Sequence, residues 1–307
     1  MRMAVCFAGM PRHYDKCSDS LLKFFTFNNM EVDFFIHCWS NIWYHPKVGC
    51  DTRKELDKDS LGKDLSNIFS PKKMIIEDQL KNSDLEDSIN LLCDIHESVK
   101  HFTNTPKPMA YVFEQRVVDE FLTSRYHFGQ IYSISKAIQI KTQYEKENNF
   151  EYDLVFRSRL DNYMQEVDEE WKNSSFENMS QRMSEEHIIN DCRNVSTKSE
   201  LIFCQWLALH GKCVHMGDKF FGGKSSAMSV FENLFNFQMF RIIEHLSGSK
   251  NIFQFFPEAV LGDIISTYNY MVEHHLWPGE ILTYRDYHVG QGDDFEKLRE
   301  IYLQHEK

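Results

Sequence analysis

The opening forty residues constrain this chain more than any other feature. Met3-Ala-Val-Cys-Phe-Ala8 is an unbroken apolar run that stops at Gly9. A short run without alternation reads as a strand covered on both faces, the usual state inside a parallel sheet. Residues 14–28 then place Cys17, Leu21, Leu22, Phe24 and Phe25 at helical spacing, and Asn28-Asn29 ends the pattern. A second run, Val32-Asp-Phe-Phe-Ile-His37, leaves through Trp39-Ser40. Strand, helix, strand in that order is by default a parallel pair joined by a right-handed crossover. Ligands of open α/β sheets sit beyond the carboxyl ends of such strands. Here those ends are Gly9 to Arg12 and His37 to Ser40.

The rest of the chain continues the alternation. A strand is expected at Lys73–Ile76, within a polar excursion over about 45–108 that carries a short helix near 89–95. Met109 to Asn148 reads as helical, with Ile131, Ile134, Ala137, Ile138, Lys141 and Tyr144 on one face. Tyr152-Asp-Leu-Val-Phe-Arg157 is a buried strand, and Met164 to Ser199 reads as loop-rich with a short strand at Ile188-Ile189. Asp218 to Gly223 is a further strand, followed by a long helix bearing Met228, Phe231, Leu234, Phe235, Met239, Ile242 and Ile243. A last helix is expected over Pro257–His274 and a last strand at Ile281–Tyr284. With no repeat and no low-complexity linker, the expectation is one α/β domain over 1–307, a mostly parallel central sheet flanked by helices.

Composition removes several function classes. At 42% hydrophobic and 14% aromatic residues the chain has ample material for a core, which excludes global disorder. A formal charge of −12 without a Lys/Arg block argues against nucleic acid as a partner. The eight cysteines include no C-x-x-C pair and read as reduced thiols. His210, Cys213 and His215 lie close together but lack the fourth ligand of a structural zinc site. No segment reaches the ~18 apolar residues of a membrane span, and the amino terminus lacks a signal-peptide pattern. A cytoplasmic setting is therefore expected, with attachment to a membrane only through a lipid-linked substrate.

Three clusters fall where strands end. Gly9-Met-Pro-Arg12 lets backbone approach a ligand and offers a guanidinium for bidentate phosphate binding; a plain turn with a solvent-facing Arg12 explains it equally. In Arg157-Ser-Arg159-Leu-Asp161, two arginines and an aspartate leaving a buried strand are costly unless paired or ligand-bound. Either Asp161 holds a divalent metal on a diphosphate while an arginine neutralises charge, or an internal Arg–Asp ion pair ties the loop. In the third, Gly222 and Gly223 would let a sugar or nucleotide lie on backbone and Asp218 would meet hydroxyls; a tight turn accounts for the glycines as well. Glu258, at a helix start, is a candidate general base or a first-turn charge. His288 is a candidate for completing a metal site, with a solvated loop histidine as the plainer account.

Taken together, the strand ending in G-x-x-R, the Val32–Trp39 strand, the segment Gln130-Ile-Tyr-Ser-Ile-Ser-Lys136 and the stretch Tyr152-Asp-x-Val-x-Arg-x-Arg-x-Asp161 resemble a loosely defined group of glycosyltransferases. That group has a GT-A-like, Rossmann-like fold, and the likeness covers roughly residues 3–40 and 128–163, more weakly 216–265. The resemblance implies a nucleotide-sugar donor and a glycan or lipid-linked acceptor, as in polysaccharide or glycoconjugate synthesis. The Tyr152–Asp161 stretch falls where GT-A enzymes carry the Asp-x-Asp motif that grips a metal and the donor diphosphate. Here Arg159 stands in place of the first Asp and only Asp161 remains. Mn²⁺ or Mg²⁺ is thus one expected cofactor, and neutralisation by arginine alone is the other. Arg12, Arg157 and Arg159 are the candidate phosphate ligands, Asp161 the metal or ribose ligand, and Asp218 and Glu258 compete to activate the acceptor. A non-catalytic nucleotide- or carbohydrate-binding protein on the same scaffold is the rival reading. A G-x-x-x-x-G-K-[ST] loop and a G-x-G-x-x-G turn are both missing, which removes P-loop and dinucleotide-binding classes.

Overall fold

A computed structural model describes residues 1–26, 30–42, 54–79, 108–164, 169–184, 187–190, 196–205, 207–210, 213–238, 257–267, 271–274 and 281–283. The amino-terminal unit is β1 (Arg2–Gly9), α1 (Tyr14–Phe25) and β2 (Glu31–Trp39), with β1 and β2 parallel from Arg2↔Glu31 to Gly9↔Cys38. The strand pair β3 (Asn41–Ile42) and β4 (Lys54–Glu55) leads into α2 (Lys58–Phe69), whose N-cap Asp57 accepts from the Ser60 amide at 2.8 Å. Next come β5 (Lys73–Glu77), the 41-residue helix α3 (Pro108–Asn148) and β6 (Leu154–Ser158). β7 (Asn162–Met164) and α4 (Glu169–Ser184) precede the hairpin of β8 (His187–Asn190) and β9 (Ser196–Ser199). β10 (Leu201–Cys204), the hairpin β11 (Leu207–His210) and β12 (Cys213–Met216), and β13 (Phe220–Gly223) follow. The described chain closes with α5 (Ser225–Met228), a 3₁₀ turn over Ser229–Asn233, α6 (Pro257–Thr267), β14 (Met271–His274) and β15 (Ile281–Thr283).

The main sheet has seven strands in the order β14-β10-β13-β6-β1-β2-β5. Every strand runs the same way except β13, which is antiparallel to both β6 and β10. This is the expected α/β architecture: a mostly parallel sheet with helices on both faces, Rossmann-like in its organisation. Alternation along β1 explains the two layers. Met3, Val5 and Phe7 join α1, α2 and α4 in one core, whereas Ala4, Cys6 and Ala8 face α3 and α6 in the other. The small residues on that second face let a long helix lie close to the strand.

Several expectations are corrected. The loop-rich reading of 164–199 gives way to α4, whose Phe176 and Met179 enter the core, and to a hairpin whose first strand contains the expected Ile188-Ile189. The helix expected over 257–274 stops at Thr267, and Met271–His274 becomes an edge strand paired in parallel with β10. The helix expected after Gly223 breaks into α5 and a 3₁₀ turn before resuming at 234–238. Residues 89–95 and His288 lie outside the described residues.

Candidate functional site

Topology selects the site. From β1 the chain moves outward through α1 to β2 and β5, then returns to the other flank of β1 as β6, and from β6 it continues to the far side. The switch point of the sheet therefore lies between β1 and β6, and the crevice beyond their carboxyl ends is the favoured ligand site. Gly9 ends β1 with φ +123°, a conformation that L residues rarely adopt, and a Cβ there would meet nothing within 4 Å. The end of β1 thus faces open space. The chain turns through Arg12 and His13, the latter in the left-handed region at φ 51°, and starts α1. This directs the α1 amino terminus toward the crevice.

Across the crevice, β6 delivers Arg159 and Asp161. Arg159 grips Asp161 in a side-on pair, Nε to Oδ1 at 2.7 Å and Nη2 to Oδ2 at 2.9 Å. Arg12 Nη2 reaches the same Oδ2 at 3.2 Å. Burial pushes the Asp161 carboxyl up, but the charges of Arg159 and Arg12, the Arg159 hydrogen bonds and nearby His13 outweigh it. Asp161 is held well below the usual carboxylate range and stays ionised. Asp218, just before β13, completes the group: the Gln130 carboxamide donates to it, and Arg159 Nη1 lies 4.0 Å away. Buried Asn162 fixes this geometry, donating to Ser158 Oγ at 2.9 Å and to the Lys219 carbonyl at 2.8 Å.

The sheet brings together some sequence candidates and separates others. Gly9, Arg12, Arg159, Asp161 and Asp218 meet at the crevice. Arg157 is fully buried behind it, its Nη2 3.5 Å from the Ala8 carbonyl and its guanidinium 5.8 Å from the Phe221 ring. Gly222 and Gly223 are carried away from the crevice, because β13 runs antiparallel and its glycines lie opposite Phe156 and Val155. Their role is packing: a Cβ on Gly222 would come 2.2 Å from Phe156 Cδ1 and 2.7 Å from the Val155 carbonyl. Glu258 lies in the first turn of α6, and its side chain, like those of His210, Cys213 and His215, is outside the described residues.

The donor set at the crevice does not fit a metal. Both Asp161 oxygens accept from Arg159, and the charges of Arg159 and Arg12 beside the carboxylate oppose a cation there. Among the described residues no group of three or more His, Cys, Asp and Glu could hold a metal ion.

Two features escaped the sequence reading. Gln130 carries no local signal for its contact with Asp218, since the two are 88 residues apart. At the ends of β2 and β5, His37 joins Ser133 and Glu77, with Nδ1 2.7 Å from Ser133 Oγ and Nε2 3.0 Å from Glu77 Oε2. The carboxylate can only accept, so Nε2 carries the proton, and the one proton of the Ser133 hydroxyl is shared between Nδ1 and the His37 carbonyl, 3.1 Å away. Burial lowers the His37 pKa, opposed by Glu77, and the ring is neutral. The residue types are those of a nucleophilic triad, but Ser133 and His37 are fully buried and no substrate reaches the hydroxyl. A separate groove of about 910 Å³, lined in part by Glu145, Glu151, Ser225 and Glu232, lies at the amino ends of the strands, remote from the arginines.

None of the described helices is long and apolar enough to cross a membrane. No protein-family model and no curated protein matches the sequence. Among solved structures, one of a transferase mutant is similar over 88% of this chain and 85% of its own, at 7% identity and a TM-score of 0.34, too slight a likeness to bear on function.

Proposed function

We propose that this chain is a glycosyltransferase that moves a sugar from a nucleotide diphosphate sugar to a hydroxyl of a glycan or lipid-linked acceptor. The observation that carries the reading is the convergence of Arg12 and Arg159 at the sheet's switch point, beside the open backbone of Gly9. Guanidinium groups in a half-buried crevice suit a leaving diphosphate. Its charge develops in the transition state, and fixed donors stabilise it without reorganising. Asp218, beside Arg159 at the crevice, and Glu258 are the candidates for acceptor activation.

One observation favours the rival, a non-catalytic nucleotide- or carbohydrate-binding protein: Asp161 is held in a bidentate pair by Arg159 with its pKa well below the usual carboxylate range, which makes it a weak base. Thermal-shift screening against UDP-, GDP-, CDP- and ADP-sugars, each with and without Mn²⁺, followed by product detection with the donor that binds, separates the two. Selective stabilisation with release of nucleoside diphosphate in the presence of acceptor supports the transferase. Stabilisation without turnover across an acceptor panel favours the binding protein, and no response to any donor refutes both.

A further inference from the structure

Resting on the reading of the strand-end crevice as a phosphate site, we propose that Asp161 is a positioning residue, the resident counter-ion of a two-arginine anion clamp that works without a divalent cation. A divalent cation at Asp161 would lie beside two guanidinium groups, whose charges oppose it. Asp161 has both oxygens taken by Arg159, and Arg12 shares Oδ2 with it. The side chains grade outward: Asp161 is 7% exposed, Arg159 17% and Arg12 24%. The carboxylate therefore sits at the base, and the guanidiniums form the rim that an incoming anion meets. Held in this way, the two arginines are preorganised, and an anion need not order them on binding. Gly9 completes the clamp from the other wall, since its missing Cβ leaves the β1 end open to close approach. Asp161 offsets one of the two guanidinium charges, and Asp218, 4.0 Å from Arg159 Nη1, offsets part of the other. A phosphate group arriving at the rim competes with Asp161 for the outer guanidinium, Arg12, and leaves the bidentate Arg159 pair in place.

The sign of one substitution distinguishes this role from metal ligation and from simple structure. Asp161→Asn keeps a carboxamide oxygen for one Arg159 nitrogen, loses the hydrogen bond to the other because the N–H₂ cannot accept, and removes the competing charge, the larger of the two effects. Titration calorimetry with inorganic pyrophosphate is made on the wild type, D161N and Arg12→Gln, in EDTA and again in Mn²⁺. The wild type is expected to bind pyrophosphate in EDTA. D161N should bind about tenfold more tightly, the order expected when one unit charge is removed close to a half-buried anion site. R12Q should bind about tenfold more weakly, with a shallower salt dependence. Binding that appears only with Mn²⁺, weaker binding by D161N, or unchanged binding by R12Q overturns the clamp, as does a wild type that binds no pyrophosphate in either condition. If D161N does not fold, the metal arm and R12Q, whose side chain lies at the rim, still decide the matter. Pyrophosphate that behaves as expected while every nucleotide sugar fails leaves the clamp standing and removes the transferase.

Discussion

Lys141 lies on the apolar face of α3 and is fully buried, which requires a partner. Its Nζ donates to Glu145 Oε2 at 2.9 Å and to Ser225 Oγ at 2.6 Å. Glu145 also accepts from Ser225 Oγ at 2.6 Å and from the Tyr152 amide at 2.9 Å, joining α3 to the entry of β6 and the start of α5. Lys141→Met preserves the stem but leaves a buried carboxylate with two neutral donors. Breaking a buried pair from one side costs roughly 3–5 kcal/mol, and the surviving donors favour about 3 kcal/mol here. An unfolding entropy of about 2.1 cal/mol/K per residue over 307 residues converts this into a Tm lower by about 5 °C. Glu145→Gln alone should cost about 4 kcal/mol, because Lys141 is then charged, buried and held by neutral groups. The double variant K141M/E145Q removes both charges and keeps an acceptor for Tyr152, so it should lose only about 1–2 kcal/mol. Urea unfolding of the four proteins gives the coupling energy. Single-variant costs below about 1 kcal/mol, or costs that simply add, would refute the assignment of a buried, mutually dependent ion pair.

The other predictions use different physics. Gly222→Ala should destabilise by about 2–3 kcal/mol, since its Cβ meets the Phe156 ring and the Val155 carbonyl of a paired strand; a wild-type denaturation midpoint contradicts the close approach of β13 and β6. His37 has its pKa lowered by burial, with Glu77 opposing, so the unfolded chain takes up a proton at higher pH than the folded one. Its stabilisation is complete above the unfolded value of about 6.5 and declines as pH falls from there toward the folded pKa, at no more than about 1.4 kcal/mol per pH unit. His37→Gln should flatten that part of the profile, and identical slopes for wild type and variant between about pH 7 and 5 would falsify the buried neutral ring. Donor screening with product detection and pyrophosphate calorimetry test the proposed transferase and its arginine clamp.

Local pattern alone was enough for much of this protein. The run Met3–Ala8, the spacing of Cys17, Leu21 and Phe25, the Val32–His37 run and the Ile131–Ile138 face each declare their element, because a buried strand or an amphipathic helix writes its period into neighbouring residues. Strand ends point to Arg12, Arg159 and Asp161, and the spacing of Arg159 and Asp161 allows their internal ion pair, whereas nothing local to Arg12 signals its contact with Asp161. Other features depend on partners distant in sequence. Met271–His274 is a strand because β10 lies beside it, and nothing within its four residues forces that choice. Gln130 meets Asp218 only because α3 packs along β1 and β2 and brings this residue beside the segment that precedes β13. The clearest case is the Asp218–Gly223 stretch. Its composition made one site of an aspartate and two glycines, but pairing decides direction. Because β13 runs against β6, Asp218 enters the crevice and Gly222 and Gly223 are carried into the packed sheet. Strand direction is a property of the pairing, and only the tertiary structure sets it.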